Sequence, residues 1–364
     1  MFRDVIERMA PYVPGEQPRP GQRLIKLNTN ENPYPPSPAV RQAVARAAAG
    51  GSLRLYPPPD AGEFVAAAAR LYGFRPRMIL AGNGSDELLA MLFRAALGAG
   101  ATVAYPVPTY SLYETLATMQ EARVVTVPFG VKFELPVDSL ARLEARLTIV
   151  CSPNSPSGTN VSRETLDALA RRLKNRLLVI DEAYVDFADE NALDLARRHS
   201  NVVVLRTLSK SFSLAGMRLG LCFAHPSIIE ALGKVKDSYN LSRLAVVAGA
   251  AALDDAAWMR RNVERVRRTR AATEKRLRKL GFEVPPSSAN FVFARLAGRD
   301  LAPMGAALRR RGILVRHFPG SSFADALRIS IGTPAEMAAL FKALAPLVRG
   351  HAASKRNGRA ESNA

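Results

Sequence analysis

Apolar and polar positions alternate along most of the chain in a regular way. From about Ala39, short apolar runs are separated by stretches in which apolar side chains recur every three or four residues, the period of a helix. The apolar runs are Met78–Leu80, Thr102–Ala104, Arg123–Val127, Thr148–Val150, Leu177–Ile180, Val202–Leu205 and Leu219–Phe223. This alternation predicts an α/β fold, with a mostly parallel central sheet sandwiched between helices.

The pattern changes after a long basic stretch, Met259–Leu280. Three further strand candidates lie around two helical segments: Asn290–Ala294, Ile313–His317 and Leu327–Ile331. They predict a second, smaller α+β domain. We therefore expect a large domain at 39–255 and a small domain at 256–350, to which part of the N-terminal arm is added.

Both ends of the chain lack these patterns. Residues 1–38 contain Pro11, Pro14, Pro18 and Pro20 before a second proline-rich run, so we expect an irregular arm that drapes over other parts of the molecule. Residues 351–364 lack large apolar side chains and are predicted to form a disordered tail.

The composition is that of a globular protein in a reducing compartment. The chain has 364 residues, 48% of them hydrophobic, and a mean hydropathy of −0.03. No apolar run approaches the roughly 18–20 residues of a membrane span, and the charged start argues against a secretory signal. Cys151 and Cys222 lie in or at the end of apolar runs, which indicates buried thiols and neither a disulfide nor a metal site. We expect a cytoplasmic protein without a membrane partner.

The net charge of +19 first suggests a nucleic-acid partner. Much of the excess lies in Met259–Leu280, which contains ten Lys and Arg residues against Glu264 and Glu274. Apolar residues in this stretch fall mostly at spacings of three, four and seven, which predicts an amphipathic helix that ends at Gly281 with its cations in solvent. We therefore expect no nucleic-acid partner. A basic nucleic-acid-binding protein is the alternative, but the chain has no recognisable binding motif.

The segment 206–218 carries the most specific chemistry. It follows the apolar run Val202–Leu205 and brings two hydroxyls, Thr207 and Ser209, together with Lys210 and Arg218. A cofactor with both an aldehyde and a phosphate needs such a set, because an amine condenses with the aldehyde while hydroxyls and a cation bind the phosphate. A surface lysine is the alternative, but the neighbours of Lys210 are uncharged and it stands at the edge where open α/β sheets bind ligands.

A second apolar run, Leu177–Ile180, ends in Asp181 and is followed by Tyr184. The aspartate could cap a turn. Its place at the tip of an apolar strand is better explained by a cationic partner such as a protonated pyridine nitrogen, and Tyr184 could donate to the ring oxygen. Lysine and aspartate together predict pyridoxal 5'-phosphate as the cofactor.

Three more loops follow predicted strands at the same sheet edge. Gly82–Glu87 contains Gly84, Ser85 and Asp86 and could bind a phosphate at a helix N-terminus, although a plain helix cap would look the same. Tyr110 could stack on a flat cofactor or simply pack. Asn154 and Ser155 could face the cofactor or form an ordinary turn.

Two arginines mark the small domain. Arg316 follows the apolar residues Ile313–Val315, and Arg328 lies inside the predicted strand Leu327–Ile331. A cation within an apolar strand is costly unless an anion meets it, so we expect Arg328 to bind a substrate anion, with an internal salt bridge as the alternative.

These motifs resemble the fold-type I pyridoxal-phosphate aminotransferases, and their order is similar to that of the histidinol-phosphate aminotransferase branch. The resemblance extends from about Pro11 to Val348. The segments that carry it are Pro11–Gly15, Leu27–Pro33, Tyr56-Pro57, Gly82–Glu87, Asp181–Tyr184, Thr207–Lys210, Leu214–Arg218, Tyr239-Asn240 and Leu327–Ser330.

The resemblance implies a role for each matching residue. Lys210 would hold the cofactor and move a proton, Asp181 would pair with the ring nitrogen, Tyr184 with the ring oxygen, and Tyr110 would stack on the ring. The residues implied around the phosphate are Gly84, Ser85, Asp86, Thr207, Ser209 and Arg218, with Tyr56 reaching it from a second subunit of a homodimer. Those implied at the substrate are Tyr12, Asn240, Arg316 and Arg328.

The implied reaction is transamination between histidinol phosphate and 2-oxoglutarate, a step of histidine biosynthesis. An aromatic amino-acid aminotransferase and a threonine-phosphate decarboxylase are alternatives on the same fold. One position departs from the family pattern, because Ser155 stands where the family often has the asparagine that touches the ring oxygen. Either Asn154 makes that contact, or Ser155 and Tyr184 share it.

Overall fold

The computed structural model describes residues 1–320 and 323–361, with side chains up to Arg349. Its helices are α1 (Asp4–Arg8), α2 (Pro38–Ala49), α3 (Gly62–Tyr72), α4 (Gly84–Ala96), α5 (Leu112–Met119), α6 (Val137–Arg142), α7 (Arg163–Leu173), α8 (Leu193–Arg198), α9 (Pro226–Val235), α10 (Arg243–Asp254), α11 (Ala256–Lys279), α12 (Ala302–Arg310) and α13 (Pro334–Glu361). Its strands are β1 (Ile25–Leu27), β2 (Ile79–Asn83), β3 (Thr102–Val107), β4 (Arg123–Pro128), β5 (Leu147–Cys151), β6 (Leu177–Asp181), β7 (Val202–Thr207), β8 (Leu219–Ala224), β9 (Phe291–Arg295), β10 (Ile313–His317) and β11 (Ala326–Ser330).

A seven-stranded sheet forms the centre of the large domain. Its strand order is β2-β8-β7-β6-β5-β3-β4, and all neighbours are parallel except that β8 runs antiparallel to β2 and β7. Strands β5 to β8 are almost entirely buried, because helices cover both faces. Ile149 and Val179 belong to the core on one face, whereas Val150 and Ile180 belong to the core on the other. The predicted fold class is confirmed, and each of the seven apolar runs overlaps a strand of this sheet.

A four-stranded sheet forms the small domain, with the order β1-β10-β11-β9. The arm supplies β1, which pairs in parallel with β10 so that Lys26 lies opposite Leu314. The prediction of an irregular arm is therefore wrong for β1 and for α1. A three-residue strand is too short to show a period, and its partner strand comes from the other end of the chain. Helix α1 precedes the first proline of the arm.

Helix α11 is amphipathic as predicted. The residues that it buries are Ala256, Met259, Asn262, Val263, Val266, Thr273 and Leu277, while most of its cations lie on the exposed side. Gly281 follows the helix with a φ of +90°, a left-handed conformation that only glycine adopts without strain. The predicted boundary after residue 255 falls between α10 and α11.

Helix α13 continues to Glu361, which differs from the disordered tail predicted for 351–364. Alanine, lysine and arginine in this segment are good helix formers, and they extend a helix that is already nucleated. Residues 362–364 lie outside the described part. Among the described residues, none of the helices combines the length and apolar character that a membrane crossing requires. Both cysteines are buried and unpaired.

Candidate active site

The carboxyl ends of the central strands border a cavity of about 280 Å³, which the arm and the small domain complete. Most of the predicted site residues line it: Tyr12, Ser85, Asp86, Tyr110, Asp181, Tyr184, Thr207, Ser209, Lys210, Arg218, Arg316 and Arg328. These side chains come from four segments at the strand ends of the large sheet, two strands of the small sheet and the arm, and Ser155 adds the loop after β5. The topology therefore brings them to one place, as expected for the carboxyl edge of an open α/β sheet.

Lys210 follows β7 and reaches into this cavity. Its Nζ donates to the carbonyl oxygen of Thr29 at 3.3 Å and lies 5.8 Å from the centre of the Tyr184 ring. Burial lowers the pKa of Lys210 to about 8, and the nearby positive charge of Arg328 acts in the same direction. A larger share of this amine than of a surface lysine is therefore neutral near pH 7, which is what a nucleophile requires.

Asp181 ends β6 with only 2% of its surface exposed. Its Oδ2 accepts a hydrogen bond from the Tyr113 hydroxyl at 2.8 Å, and its Oδ1 accepts one from the backbone N–H of Ala183 at 3.2 Å. Burial raises the pKa of Asp181 to about 6, although the Tyr113 hydrogen bond opposes this effect. A buried carboxylate held in this way is suited to a cationic partner in the cavity.

The N-terminus of α4 forms a corner suited to a phosphate. Gly84 begins the helix with a φ of +80°, and a Cβ there would lie 2.5 Å from the guanidinium of Arg218. Arg218 pairs with Asp86 at 3.0 Å and donates to Ser209 Oγ at 3.5 Å. Thr207 donates to the same Ser209 oxygen at 2.9 Å. Free N–H groups of the helix, two hydroxyls and a guanidinium together provide the donors that a phosphate prefers.

Arg316 and Arg328 lie opposite each other on β10 and β11. Arg328 donates to Ser155 Oγ at 3.0 Å and to the carbonyl oxygen of Asn28 at 3.1 Å, and its buried Nε has no partner among the described residues. Within this same part of the chain, the guanidinium of Arg328 pairs with no carboxylate, so the predicted alternative of an internal salt bridge is not seen. The two cations therefore make this side of the cavity suited to an anion.

Comparison with known proteins identifies the family. Residues 22–344 match the family described as aminotransferase class I and II. The chain belongs to this family.

Two curated relatives of the aminotransferase are similar over nearly their full length. Both are histidinol-phosphate aminotransferases. The enzyme of Geobacter sp. (strain M21) is 49% identical, over 95% of this chain and 98% of the relative. Enzyme 1 of Trichormus variabilis is 44% identical, over 96% of this chain and 99% of the relative. A crystal structure of histidinol-phosphate aminotransferase from Sinorhizobium meliloti in complex with pyridoxal-5'-phosphate aligns with a TM-score of 0.88 at 29% identity, covering 96% of this chain and 98% of that one.

The loop after β5 places its serine, and not its asparagine, against the cavity. Asn154 is fully buried and uses its amide within the loop region, donating to the carbonyl of Pro108 and to Ser157 and accepting from Thr109. Ser155 lines the cavity and accepts from Arg328. Ser155 and Tyr184 therefore both line the cavity, and the contact of either one to a ring oxygen stays a prediction.

Three other predicted residues lie outside the cavity lining. Asn240 donates to the carbonyl of Ala81 and to the Glu87 carboxylate, so its amide connects the loop between α9 and α10 to β2 and α4. Tyr56 is 77% exposed and stacks on Tyr239 with ring centroids 4.4 Å apart. Gly84 begins α4 directly before Ser85 and Asp86, which do line the cavity.

Sequence reasoning missed two residues that hold the predicted ones. Tyr113 contacts Asp181, and Asn30 donates to the Tyr184 hydroxyl at 3.1 Å. One signal for Tyr113 was available, because it lies three residues after Tyr110 and therefore on the same side of the segment that leads into α5. Asn30 lies in the motif Leu27–Pro33, but nothing local in that motif indicates its partner.

Proposed function

We propose that the aminotransferase binds pyridoxal 5'-phosphate and transfers an amino group between histidinol phosphate and 2-oxoglutarate, as a step of histidine biosynthesis. The main support for this proposal is that one cavity brings together the Lys210 amine, the buried Asp181 carboxylate and a group of phosphate-binding donors at the N-terminus of α4. The relatives' names support the same substrate, and the Sinorhizobium meliloti protein binds the same cofactor.

The residues present fit this cofactor. Asp181 is a buried carboxylate suited to a ring nitrogen that carries a proton, and the corner around Arg218 and Ser209 is suited to its phosphate. When bound, the cofactor supplies an aldehyde that condenses with amines and a ring that withdraws electrons from the substrate α-carbon. Asp181 would hold the ring nitrogen protonated, and Tyr184 would donate to the ring oxygen.

Lys210 has two tasks in this proposal. Its neutral Nζ would bind the cofactor aldehyde before substrate arrives, and the released amine would then take the proton from the substrate α-carbon. The lowered pKa of Lys210 favours both tasks, because a protonated amine can neither attack nor accept a proton. Tyr110 lines the same cavity and would cover one face of the ring.

Arg316 and Arg328 would bind the anionic end of the substrate. Both line the cavity, they face each other across two strands, and Arg328 is held by Ser155 and Asn28 in a fixed orientation. A pair of guanidinium groups suits a phosphate dianion, and the same pair could accept the carboxylates of 2-oxoglutarate in the other half of the reaction.

We further propose that the active form is a cytoplasmic homodimer. Four large apolar residues close to one another in the chain or in space are exposed: Leu53, Leu55, Tyr56 and Tyr239. Such a patch favours an interface, and Tyr56 would then serve the partner subunit's site. Light scattering of the purified protein tests this, and a monomer at micromolar concentration would contradict it. The two unpaired cysteines support the reducing compartment.

A substrate panel tests the proposed reaction. The purified protein, loaded with pyridoxal 5'-phosphate, is given 2-oxoglutarate together with histidinol phosphate, phenylalanine, tyrosine or O-phosphothreonine. We expect glutamate formation to be fastest with histidinol phosphate. Faster turnover of the aromatic amino acids, or release of CO₂ from O-phosphothreonine, would replace the proposed substrate while keeping the cofactor.

A further inference from the structure

Asn30 lies where the arm, the small domain and the large domain meet. Only 1% of its surface is exposed, and its φ of 56° is a left-handed conformation that asparagine tolerates better than most residues. Its backbone N–H donates to Ser330 Oγ at 2.8 Å, and its carbonyl accepts from the side chain of Asn290 at 2.9 Å. The backbone of Asn30 is therefore held on both sides by the small domain.

The side chain of Asn30 is held as well. Ser330 Oγ donates to Asn30 Oδ1 at 3.0 Å, and Asn30 Nδ2 donates to the Tyr184 hydroxyl at 3.1 Å. Ser330 already accepts from a backbone N–H, so its own hydrogen is free to go to Oδ1. A reversed amide would take this acceptor away from a serine that is almost fully buried, which is costly.

The direction of these bonds determines where the Tyr184 hydrogen points. An amide nitrogen can only donate, so the Tyr184 oxygen is the acceptor in its bond with Asn30. The hydroxyl hydrogen of Tyr184 must then point elsewhere, and Tyr184 lines the cavity. A donor bonded to the Tyr184 oxygen also polarises its O–H group and makes it a stronger donor.

We propose that Asn30, oriented by Ser330, is a positioning residue that keeps the hydroxyl hydrogen of Tyr184 directed into the cavity. The proposal rests on the proposed function, in which this hydroxyl donates to the ring oxygen of the cofactor. Ser330 lies two residues after Arg328 on β11, so one strand of the small domain carries both a substrate-facing arginine and the residue that orients Asn30.

The test measures the pH midpoint at which the visible absorbance band of the loaded protein changes. A hydrogen bond from Tyr184 to the ring oxygen favours the deprotonated form of the bound chromophore, so loss of that bond raises the midpoint. In Asn30→Asp the carboxylate cannot donate and instead accepts from Tyr184, turning its hydrogen away. We expect the midpoint to rise by about 1–2 pH units, a tenfold to hundredfold change in the ionisation constant.

A double-mutant cycle separates this effect from that of the added charge. If Asn30 acts through Tyr184, then in the Tyr184→Phe background Asn30→Asp moves the midpoint by no more than the added charge does, which is the size of the Asn28→Asp effect. A similar rise in both backgrounds would overturn the proposal, because it would reflect only the new negative charge. Asn28→Asp is the matched control: it adds a charge to the same lining of the arm, and it should move the midpoint less.

Ser330→Ala gives a second measurement that adds no charge and removes only a hydroxyl. We expect Ser330→Ala to raise the pH midpoint by less than Asn30→Asp does, and to leave it unchanged in the Tyr184→Phe background. An unchanged midpoint in Ser330→Ala alone would count against the proposal even if Asn30→Asp failed to fold. The wild-type protein serves as the reference for function. A wild type that has no visible band removable by borohydride overturns the proposed cofactor and this inference with it, whereas a normal band with unmoved variants overturns the inference alone.

Discussion

Replacing Tyr113 by phenylalanine removes a hydrogen bond that stabilises the carboxylate of Asp181. The Tyr113 side chain is fully buried, and its hydroxyl lies 2.8 Å from Asp181 Oδ2. Phenylalanine fills almost the same volume, so the change removes the donor without opening a large cavity. The bond from Ala183 to Oδ1 remains.

The size of the effect follows from the strength of a hydrogen bond to a charged group. Such a bond contributes about 1.5–3 kcal/mol, and one pH unit corresponds to about 1.4 kcal/mol, so the pKa of Asp181 rises by about 1–2 pH units in the variant. Its starting value of about 6 is already raised by burial. In the Tyr113→Phe variant, Asp181 is therefore expected to titrate between about pH 7 and 8.

The sign of the stability change also follows. A carboxyl whose pKa is raised on folding contributes stability that is fully present below its unfolded pKa and lost as the pH rises through its folded pKa. The hydrogen bond from Tyr113 limits that loss. The variant is therefore destabilised relative to wild type by up to about 1.5–3 kcal/mol at pH 8 and by less at pH 4, where Asp181 is neutral in both proteins.

The assay is the dissociation constant of pyridoxal 5'-phosphate, measured by absorbance on the apo-protein between pH 5 and 9. Affinity should fall as the pH drops through the pKa of Asp181, near 6 in wild type and about 1–2 pH units higher in Tyr113→Phe. Tyr105→Phe is the matched control: Tyr105 is buried with its ring centroid 5.7 Å from that of Tyr113, and among the described residues its hydroxyl does not bond to Asp181. Equal midpoints in wild type and Tyr113→Phe would refute the reasoning.

Three further predictions test other parts of the molecule. Lys210→Ala should abolish turnover and leave the circular dichroism spectrum unchanged, and full activity would contradict the role of Lys210. The free energy of unfolding of wild type, relative to this variant, should rise between about pH 8 and 10.5, because in that range the lysine binds more protons in the unfolded state than in the folded state. Arg206→Met should lower the free energy of unfolding by about 3–5 kcal/mol, because Arg206 and Glu182 form an ion pair at 2.9 Å with side chains only 8% and 2% exposed. Chemical denaturation measures this change. The exposed ion pair of Arg70 and Asp254 is the control, and Arg70→Met should lower the free energy of unfolding by less than about 1 kcal/mol. Arg328→Lys keeps the charge but loses the fork of donors, so steady-state kinetics should show KM for histidinol phosphate raised by about tenfold or more; an unchanged KM would place the substrate anion elsewhere.

The large domain could be predicted from sequence because its central strands, β5 to β8, are buried on both faces. Leu177–Ile180 and Val202–Leu205 are continuous apolar runs, which in a chain of alternating helices and strands have few other interpretations. Strand β1 could not be predicted in the same way, since Ile25–Leu27 becomes a strand only through its pairing with β10. Local composition carries no information about such a distant partner.

The same distinction applies to the candidate site: positions that depend on strand topology can be predicted, and positions that depend on the path of a loop cannot. The position of Lys210 and Asp181 follows from a rule of topology. Asp181 ends β6 and Lys210 follows β7, and because these neighbouring strands are parallel, both residues must lie at the same edge of the sheet. Asn154 and Ser155 follow a strand by the same rule, but which of them faces the cavity depends on the path of a loop, and sequence does not determine that path. Asn240 was expected at the substrate, but its amide bonds to Glu87 outside the cavity lining. Tyr56, which is expected to reach the site of a second subunit, stacks on Tyr239 at the surface of its own chain.

The residues that sequence reasoning missed share a physical property. Tyr113 and Asn30 act on Asp181 and Tyr184 through single hydrogen bonds between segments that are far apart in the chain. Such bonds leave no periodicity, charge run or turn signal in a sequence, yet in a buried site each is strong enough to change an ionisation constant by a factor of about ten or more. The residues that determine the chemistry of this site lie at strand ends, and they can be recognised in the sequence. Its tuning depends on partners that only the packed structure brings together, and for this reason the variants of Tyr113, Asn30 and Ser330 are the most direct tests of the geometry.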